Sequence, residues 1–267
     1  MSLIPISIKS LVLDMDGVLW TGDQPIGDLP KLFARLSQRG LKVCLATNNS
    51  SRTPKEYLDR LRSFGVGDLE DWQIVTSAHA LTDEIGKRFP SKGAVYVIGE
   101  TGLHQSLLDA GFTVIEAGHF NHTQEIQAVA VGFDHYISFA KLSQATLLIR
   151  RGVPFYATNP DRTFPTPEGL IPGVGAYLAL LTTASEVEPI VVGKPAPFMF
   201  DLACRRLGTS PAETLVVGDR RETDIAGGQA AGCPVALLLS GVSNRSMADA
   251  WKPAPDVIAP DLTTLIG

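Results

Sequence analysis

A chain of 267 residues, 45% of them hydrophobic and 19% charged, holds too much apolar material for disorder and enough to bury a sizeable core in one large or two modest domains. Its 28 acidic and 23 basic residues leave a net charge of -5, and no window concentrates Lys or Arg, which excludes a phosphate-backbone surface and so a nucleic-acid partner. The opening Met1-Ser2-Leu3-Ile4-Pro5-Ile6 has neither a basic region nor a long apolar core, and no later apolar run approaches a membrane span, so a cytoplasmic protein without a membrane partner is expected. Cys44, Cys204 and Cys233 are odd in number and widely spaced, which argues for small buried side chains over a disulfide framework or a zinc site. Without a secretion signal, the Asn-x-Ser/Thr matches at Asn48, Asn49, Asn121 and Asn244 carry no weight.

The first element is the apolar run Leu11-Val12-Leu13, which breaks off in Asp14-Met15-Asp16-Gly17. It reads as a buried strand whose C-terminal end reaches solvent, where open α/β sheets bind ligands. Alternation sends side chains i and i+2 to one face, so if extended geometry persists Asp14 and Asp16 point together. Two like charges that close need a cation, a shared proton, or both. The plainer alternative is a strand ending in a turn whose Asp residues hydrogen-bond the backbone.

After a turn-rich connection over Thr21 to Pro25, a helix is expected from about Asp28 to Gln38, stopped by Gly40. Leu41 to Ala46 is a second strand, ending in Thr47-Asn48-Asn49-Ser50, and Pro54 opens a helix that runs to about Phe64. A short strand at Gln73 to Val75 and a helix from about Ala78 to Phe89 complete this β-loop-α grammar of a parallel sheet. The rhythm then restarts, with strands at Ala94 to Ile98, Thr113 to Ile115, Ile126 to Val131 and Pro154 to Ala157, and helices at Gly102 to Ala110 and Lys141 to Arg150. That is enough for an independent α/β unit. Thr158 to Gly169 is too rich in Pro and Asp for regular structure, and it leads into a helix around Val174 to Thr183. The last third returns to long βα units: a strand at Ile190 to Val192 before Gly193-Lys194-Pro195 and a helix from Pro197; Thr214 to Val217 before Gly218-Asp219 and a helix from Asp224 to Ala231; then strands at Val235 to Leu239 and Asp256 to Ile258.

Four strand ends thus carry polar groups: Asp14 with Asp16, Thr47 with Asn48, Lys194, and Asp219 with Asp224 beyond it. Placed at the C-terminal edge of one parallel sheet, they converge on a single crevice suited to phosphoryl transfer. A phosphate monoester is a dianion, so carboxylates accept it only beside cations, and Mg²⁺ is the usual hard cation for oxygen ligands. Asp14, Asp219 and the backbone carbonyl of Asp16 are the expected metal ligands, with Asp224 orienting Lys194 or the metal-bound water from behind. Lys194 adds a fixed positive charge. The Thr47 hydroxyl and backbone N–H groups of the loops at Gly17, Asn48 and Asn49 are expected to hold phosphate oxygens. Asp14 is then the nucleophile, forming an aspartyl-phosphate, and Asp16 the general acid and afterwards the base. Asp161, in the irregular segment, is a candidate for selecting substrate. Trp20 reads as packing or as part of a flap.

These stretches, Asp-Met-Asp-Gly-Val-Leu at 14 to 19, Thr-Asn-Asn-Ser at 47 to 50, Gly-Lys-Pro at 193 to 195 and Gly-Asp-Arg-x-x-Thr-Asp at 218 to 224, resemble the four ordered motifs of the haloacid dehalogenase superfamily. More narrowly the chain resembles subfamily IIA, with its 4-nitrophenyl, nucleotide, pyridoxal phosphate and phosphoglycolate phosphatases. The resemblance implies a Rossmann-like, doubly wound parallel-sheet core of α/β class with an inserted α/β cap of the C2 type, here placed as a core of residues 1–79 and 186–267 and a cap of residues 80–185. It also implies a Mg²⁺-dependent phosphatase acting on a small phosphorylated metabolite, and it admits a cap-mediated homodimer. Three rivals have distinct signatures. A receiver-type signalling module is about half this length and lacks an acid two residues after its phosphorylated Asp; a phosphomutase would return the phosphoryl group to substrate; a silent sugar-phosphate binder would not need the intact acid set.

Overall fold

The structure, a computed structural model, describes residues 2–118, 125–166 and 168–267; the Asn121 match and Pro167 lie outside them. The chain forms two compact units, one of Met1–Thr47, Pro54–Val75 and Lys194–Gly267, the other of Asn48–Thr53 and Thr76–Gly193.

The first unit is built on a six-stranded sheet in the order Val257–Ala259, Val235–Leu238, Thr214–Gly218, Ser10–Leu13, Lys42–Thr47, Ile74–Thr76. The strand Ser10–Leu13 lies at its centre, parallel to both neighbours, with Leu13 opposite Val217 on one side and Leu45 on the other. Every residue of that strand is buried, as expected of a parallel strand covered on both faces. The helix Leu29–Gln38 is capped by the Asp28 side chain and turns Leu29, Leu32 and Leu36 inward, while Pro54–Ser63 turns in Tyr57, Leu58 and Leu61. These side chains join Leu11, Leu13, Leu45 and Leu215 in one apolar core. Strand order reverses around Ser10–Leu13, so the loop that follows Leu13 opens at a topological switch point.

The second unit has its own five-stranded sheet, ordered Ile190–Val191, Phe155–Ala157, Ile126–Val131, Ala94–Ile98, Thr113–Ile115, parallel throughout. A separate core of Tyr96, Ile98, Val129, Val131, Leu148, Phe155 and Leu181 supports it. Two expectations are corrected here. The Pro-rich stretch is irregular only over residues 158–162, because Thr163–Thr166 pairs antiparallel with Gly169–Pro172 in a hairpin. The strand before Lys194 does not end at the edge of the first sheet, since Ile190 and Val191 pair with Tyr156 and Ala157 of the second. The four polar strand ends therefore do not belong to one sheet, and Lys194 begins the return of the chain to the first unit.

Candidate active site

The strand Ser10–Leu13 stops one residue short of Asp14, whose N–H still donates to the Val217 carbonyl at 2.8 Å. The chain then turns sharply: the Met15 carbonyl accepts from the N–H groups of Val18, Leu19 and Trp20 at 3.3, 2.8 and 3.3 Å. Extended geometry does not persist beyond Leu13, and the two carboxylates take different partners. The side chain of Asp14 turns to Lys194, while the exposed Asp16 accepts from the indole N–H of Trp20 at 2.8 Å.

Lys194 is buried, and its Nζ lies 2.6 Å from Asp14 Oδ1, 2.7 Å from Asp224 Oδ1 and 3.2 Å from the Ala46 carbonyl, next to Thr47 at the end of its strand. Burial alone lowers a lysine, but the carboxylates of Asp14 and Asp224 outweigh it and hold Lys194 above its ordinary range. Burial pushes Asp14 well above the usual carboxylate range; Lys194 opposes the rise, and the charges of Asp224 and Asp219 add to it.

Asp219 follows the strand Thr214–Gly218, and burial raises it too. Its Oδ2 accepts from the Val242 N–H at 2.6 Å, but its buried Oδ1 has no hydrogen-bond partner among the described residues. Carboxylate oxygens of Asp14, Asp219 and Asp224 all lie within 4.8 Å of one another. An orphaned buried oxygen among three clustered carboxylates is the donor set of a hard divalent cation, and these residues fit one.

Asp224 sits in a π-helical turn, Arg221–Ile225, at the start of the expected helix, which continues as Ala226–Ala230. The wider turn brings the Asp224 carboxylate back to accept from the Arg220 N–H at 3.1 Å while it also meets Lys194. Gly218 is required by this return, because a Cβ there would lie 2.2 Å from Asp224 Cβ. Gly218→Ala is therefore expected to cost about 1–3 kcal/mol through overpacking. Urea denaturation measures it, and an unchanged midpoint would show that the turn relaxes freely. Gly17 is constrained twice, by φ of +82° and by the Asp219 carboxylate, which a Cβ would meet at 2.5 Å.

Thr47 is buried at the end of its strand in the first unit, whereas Asn48, Asn49 and Asp161 belong to the second. There Asn49 Oδ1 accepts from Ser51 N–H and Oγ at 2.8 and 2.7 Å, and the Asn48 carbonyl accepts from Ser77 Oγ and Asn159 Nδ2 at 2.6 and 2.9 Å. The Asp161 N–H donates to Asn159 Oδ1 at 3.1 Å and its carbonyl accepts from Gly175 at 2.8 Å.

Residues 11–113 match the haloacid dehalogenase-like hydrolases and residues 191–265 a second family of the same hydrolase type. A 5'-nucleotidase of Bacillus subtilis is 36% identical, over 89% of this chain and 89% of its own. The chain belongs to the haloacid dehalogenase-like hydrolases. A p-nitrophenyl phosphatase structure from Archaeoglobus fulgidus superposes on this hydrolase with a TM-score of 0.88 at 31% identity, covering 97% of this chain and 98% of that one. A glycerol phosphate phosphatase of Mycobacterium tuberculosis, solved in complex with magnesium, gives 0.87 at 32% identity over 97% and 76% of the two chains, and the same protein has been solved with calcium. The resemblance to subfamily IIA thus holds, and the chain is a phosphoric monoester hydrolase with the α/β fold of its relatives. Among its described residues no helix is long and apolar enough to cross a membrane.

One part of the hydrolase's site escaped the sequence reading, and another was legible only in part. The loop Ser240-Gly241-Val242 wraps Asp219: Gly241 leaves no room for a Cβ, which would lie 2.0 Å from Asp219 Oδ2, and Ser240 Oγ donates to the Gly17 carbonyl at 2.7 Å. A Gly just beyond an apolar strand was the available signal. The other is Trp20, expected as packing or as part of a flap: it is fully buried, and its indole N–H also bonds Asp16.

Proposed function

We propose that this hydrolase cleaves phosphate monoesters of small metabolites with Mg²⁺ as cofactor, through an aspartyl-phosphate on Asp14. The observation that carries the reading is the convergence of Asp14, Asp219 and Asp224 around buried Lys194, with one Asp219 oxygen left unpartnered among the described residues. Asp14, Asp219 and the Asp16 carbonyl would hold the cation. When bound, Mg²⁺ supplies the positive charge that keeps buried carboxylates ionised and offsets the phosphate dianion.

In the first step an Asp14 carboxylate oxygen attacks phosphorus, the ester P–O bond breaks, and the departing oxygen keeps its electron pair and takes a proton from the Asp16 carboxyl. In the second the Asp16 carboxylate takes a proton from water as the water oxygen attacks phosphorus. The Asp14–phosphorus bond then breaks, releasing inorganic phosphate and restoring both acids. Lys194 fixes the Asp14 carboxylate for both displacements, with Asp224 holding Lys194 from the other side. The Thr47 hydroxyl would receive a phosphate oxygen, whereas the Gly17 N–H expected to do so is already given to the Trp20 carbonyl at 2.7 Å.

Substrate choice is assigned to the second unit as a C2-type cap, with Asp161 a selecting side chain. The names of the relatives, a nucleotidase, an aryl phosphatase and a glycerol phosphate phosphatase, support one phosphate chemistry with different leaving groups. Phosphate release from 4-nitrophenyl phosphate and from a panel of phosphoglycolate, glycerol phosphate, nucleoside monophosphates, sugar phosphates and pyridoxal phosphate tests the reading. Turnover is expected with Mg²⁺ and should be lost with EDTA. Full activity in EDTA would overturn the metal assignment, and inertness on every ester would overturn the reaction.

Metal binding should also be linked to pH. Asp14 and Asp219 are raised in the folded protein, so the metal-free form owes them stability that is full below the ordinary carboxylate range and lost as pH rises through their folded values. Mg²⁺ must displace those protons, so its stabilisation grows in the opposite direction. The Tm increment on adding Mg²⁺ is expected to be larger at about pH 8 than at about pH 5; an increment flat across that range would count against these ligands.

A further inference from the structure

Within the first unit, Trp20 has no reason from packing alone to present its one polar atom to an exposed carboxylate. The turn on Met15 carries the chain back so that the Trp20 carbonyl accepts from the Gly17 N–H at 2.7 Å, and the indole N–H meets Asp16 Oδ1 at 2.8 Å. Trp20 is held in place from behind. The Arg60 guanidinium stacks over its ring at 4.4 Å from the centroid, and Phe64 lies at 6.1 Å, tilted by 43°. The same Arg60 donates to the Gly22 carbonyl and lies 3.6 Å from the Asp23 carboxylate, so it grips the tip of the hairpin Trp20–Thr21/Gln24–Pro25 as well as the ring that begins it. Asp16 hangs on a side chain that Arg60 and Phe64 hold from behind.

An indole N–H can only donate. The oxygen it faces accepts in both charge states of the carboxyl, and a carbonyl oxygen accepts better than a hydroxyl oxygen, so the bond favours Oδ1 as the unprotonated oxygen. The exchangeable proton is then favoured on Oδ2. Trp20 also spares the carboxyl a choice of rotamers during the two displacements, which general acid catalysis repays only when donor and leaving oxygen are aligned.

We propose that Trp20 is the positioning residue of the proton-transfer step: its indole N–H, braced by Arg60, fixes the Asp16 carboxyl and favours its proton on Oδ2. The proposal rests on the reading of Asp16 as general acid and base. Its signature is a dependence on the leaving group. For kcat/KM, which reports ester cleavage, an alkoxide needs the proton and a nitrophenolate hardly does.

The test compares the full-length protein with Trp20→Phe and with Trp20 replaced by benzothienylalanine, which exchanges the indole N–H for sulfur and keeps the bicyclic shape if the smaller ring disturbs folding. Both are assayed with Mg²⁺ on 4-nitrophenyl phosphate and on an alkyl phosphate that the parent turns over. The expected result is a fall of about tenfold or more in kcat/KM for the alkyl ester, against about twofold or less for the aryl ester. Equal losses on both esters, or none in the benzothienylalanine protein, would overturn the proposal. Asp16→Asn in parallel separates the two levels. Should Asp16→Asn retain full turnover on the alkyl ester, the reading of Asp16 itself fails. Should it lose that turnover while both Trp20 variants keep theirs, only the role of Trp20 fails.

Discussion

Asp14→Asn is expected to give a folded protein that releases no phosphate, with turnover reduced by more than about 10⁴-fold. An amide oxygen cannot open the covalent route, and the neighbouring Asp224 carboxylate is already bound to Lys194 and the Arg220 N–H. The fold should tolerate the change. Burial disfavours the charge on Asp14, so a neutral isostere relieves a desolvation cost at the same time as it weakens the bond to Lys194. A circular dichroism melt within a few degrees of the parent, combined with loss of phosphate release, is the expected pair of results. Undiminished turnover would remove Asp14 from the role of nucleophile.

Lys194→Met is expected to act on stability as much as on turnover. Its ammonium is the cation that lies within bonding distance of both the Asp14 and Asp224 carboxylates, and the three side chains are 4%, 13% and 2% exposed. Removing one member of a buried ionic group costs about 3–5 kcal/mol, because the others keep their desolvation penalty without compensation. The penalty has a direction in pH. Without Lys194, Asp14 loses the one influence that lowers it and rises further, so the variant regains stability by taking up protons in acid. Urea midpoints of parent and variant should converge as pH falls from about 8 to about 5. Lys194 itself stays charged in the parent throughout that window, since its two carboxylates hold it above the ordinary lysine range. Midpoints that stay equally far apart would mean that packing of the aliphatic stem, not charge, is what the lysine contributes.

Much of this arrangement could be read from the chain because it rests on local rules. The strands Ala94–Ile98 and Ile126–Val131 fall where their apolar β-branched runs place them, and Leu29–Gln38 starts on the Asp28 cap. The polar residues of the site were visible because each follows an apolar strand or a Gly. What stayed hidden is non-local. Nothing in Ile190-Val191 says which sheet it joins, since two apolar residues pair equally well with either and only the Tyr156 register decides it. The hairpin at Thr163–Thr166 was masked by prolines, which an isolated two-stranded pair accommodates where a central strand would not. The bond from Trp20 to Asp16 was hidden because the alternation rule presumes that the strand continues, and three N–H groups converging on the Met15 carbonyl end it.

The chain passes between its two units at 47/48, 53/54, 75/76 and 193/194, and the short visit of residues 48–53 has a practical consequence for exchanging specificity between relatives. That hexapeptide is fitted to the second unit by its backbone as well as by the Ser50 side chain, whose Oγ donates to Thr158 Oγ1 at 3.3 Å. The Gly102 N–H donates to the Ser51 carbonyl at 3.0 Å, and a Cβ on Gly102 would lie 2.4 Å from the Arg52 carbonyl oxygen. A Cβ on Gly132 would likewise meet Ser50 Oγ at 2.8 Å. A chimera that transplants residues 76–193 alone would set a foreign surface against this ribbon. The transferable cassette is discontinuous, and a donor's equivalent of 48–53 has to travel with it.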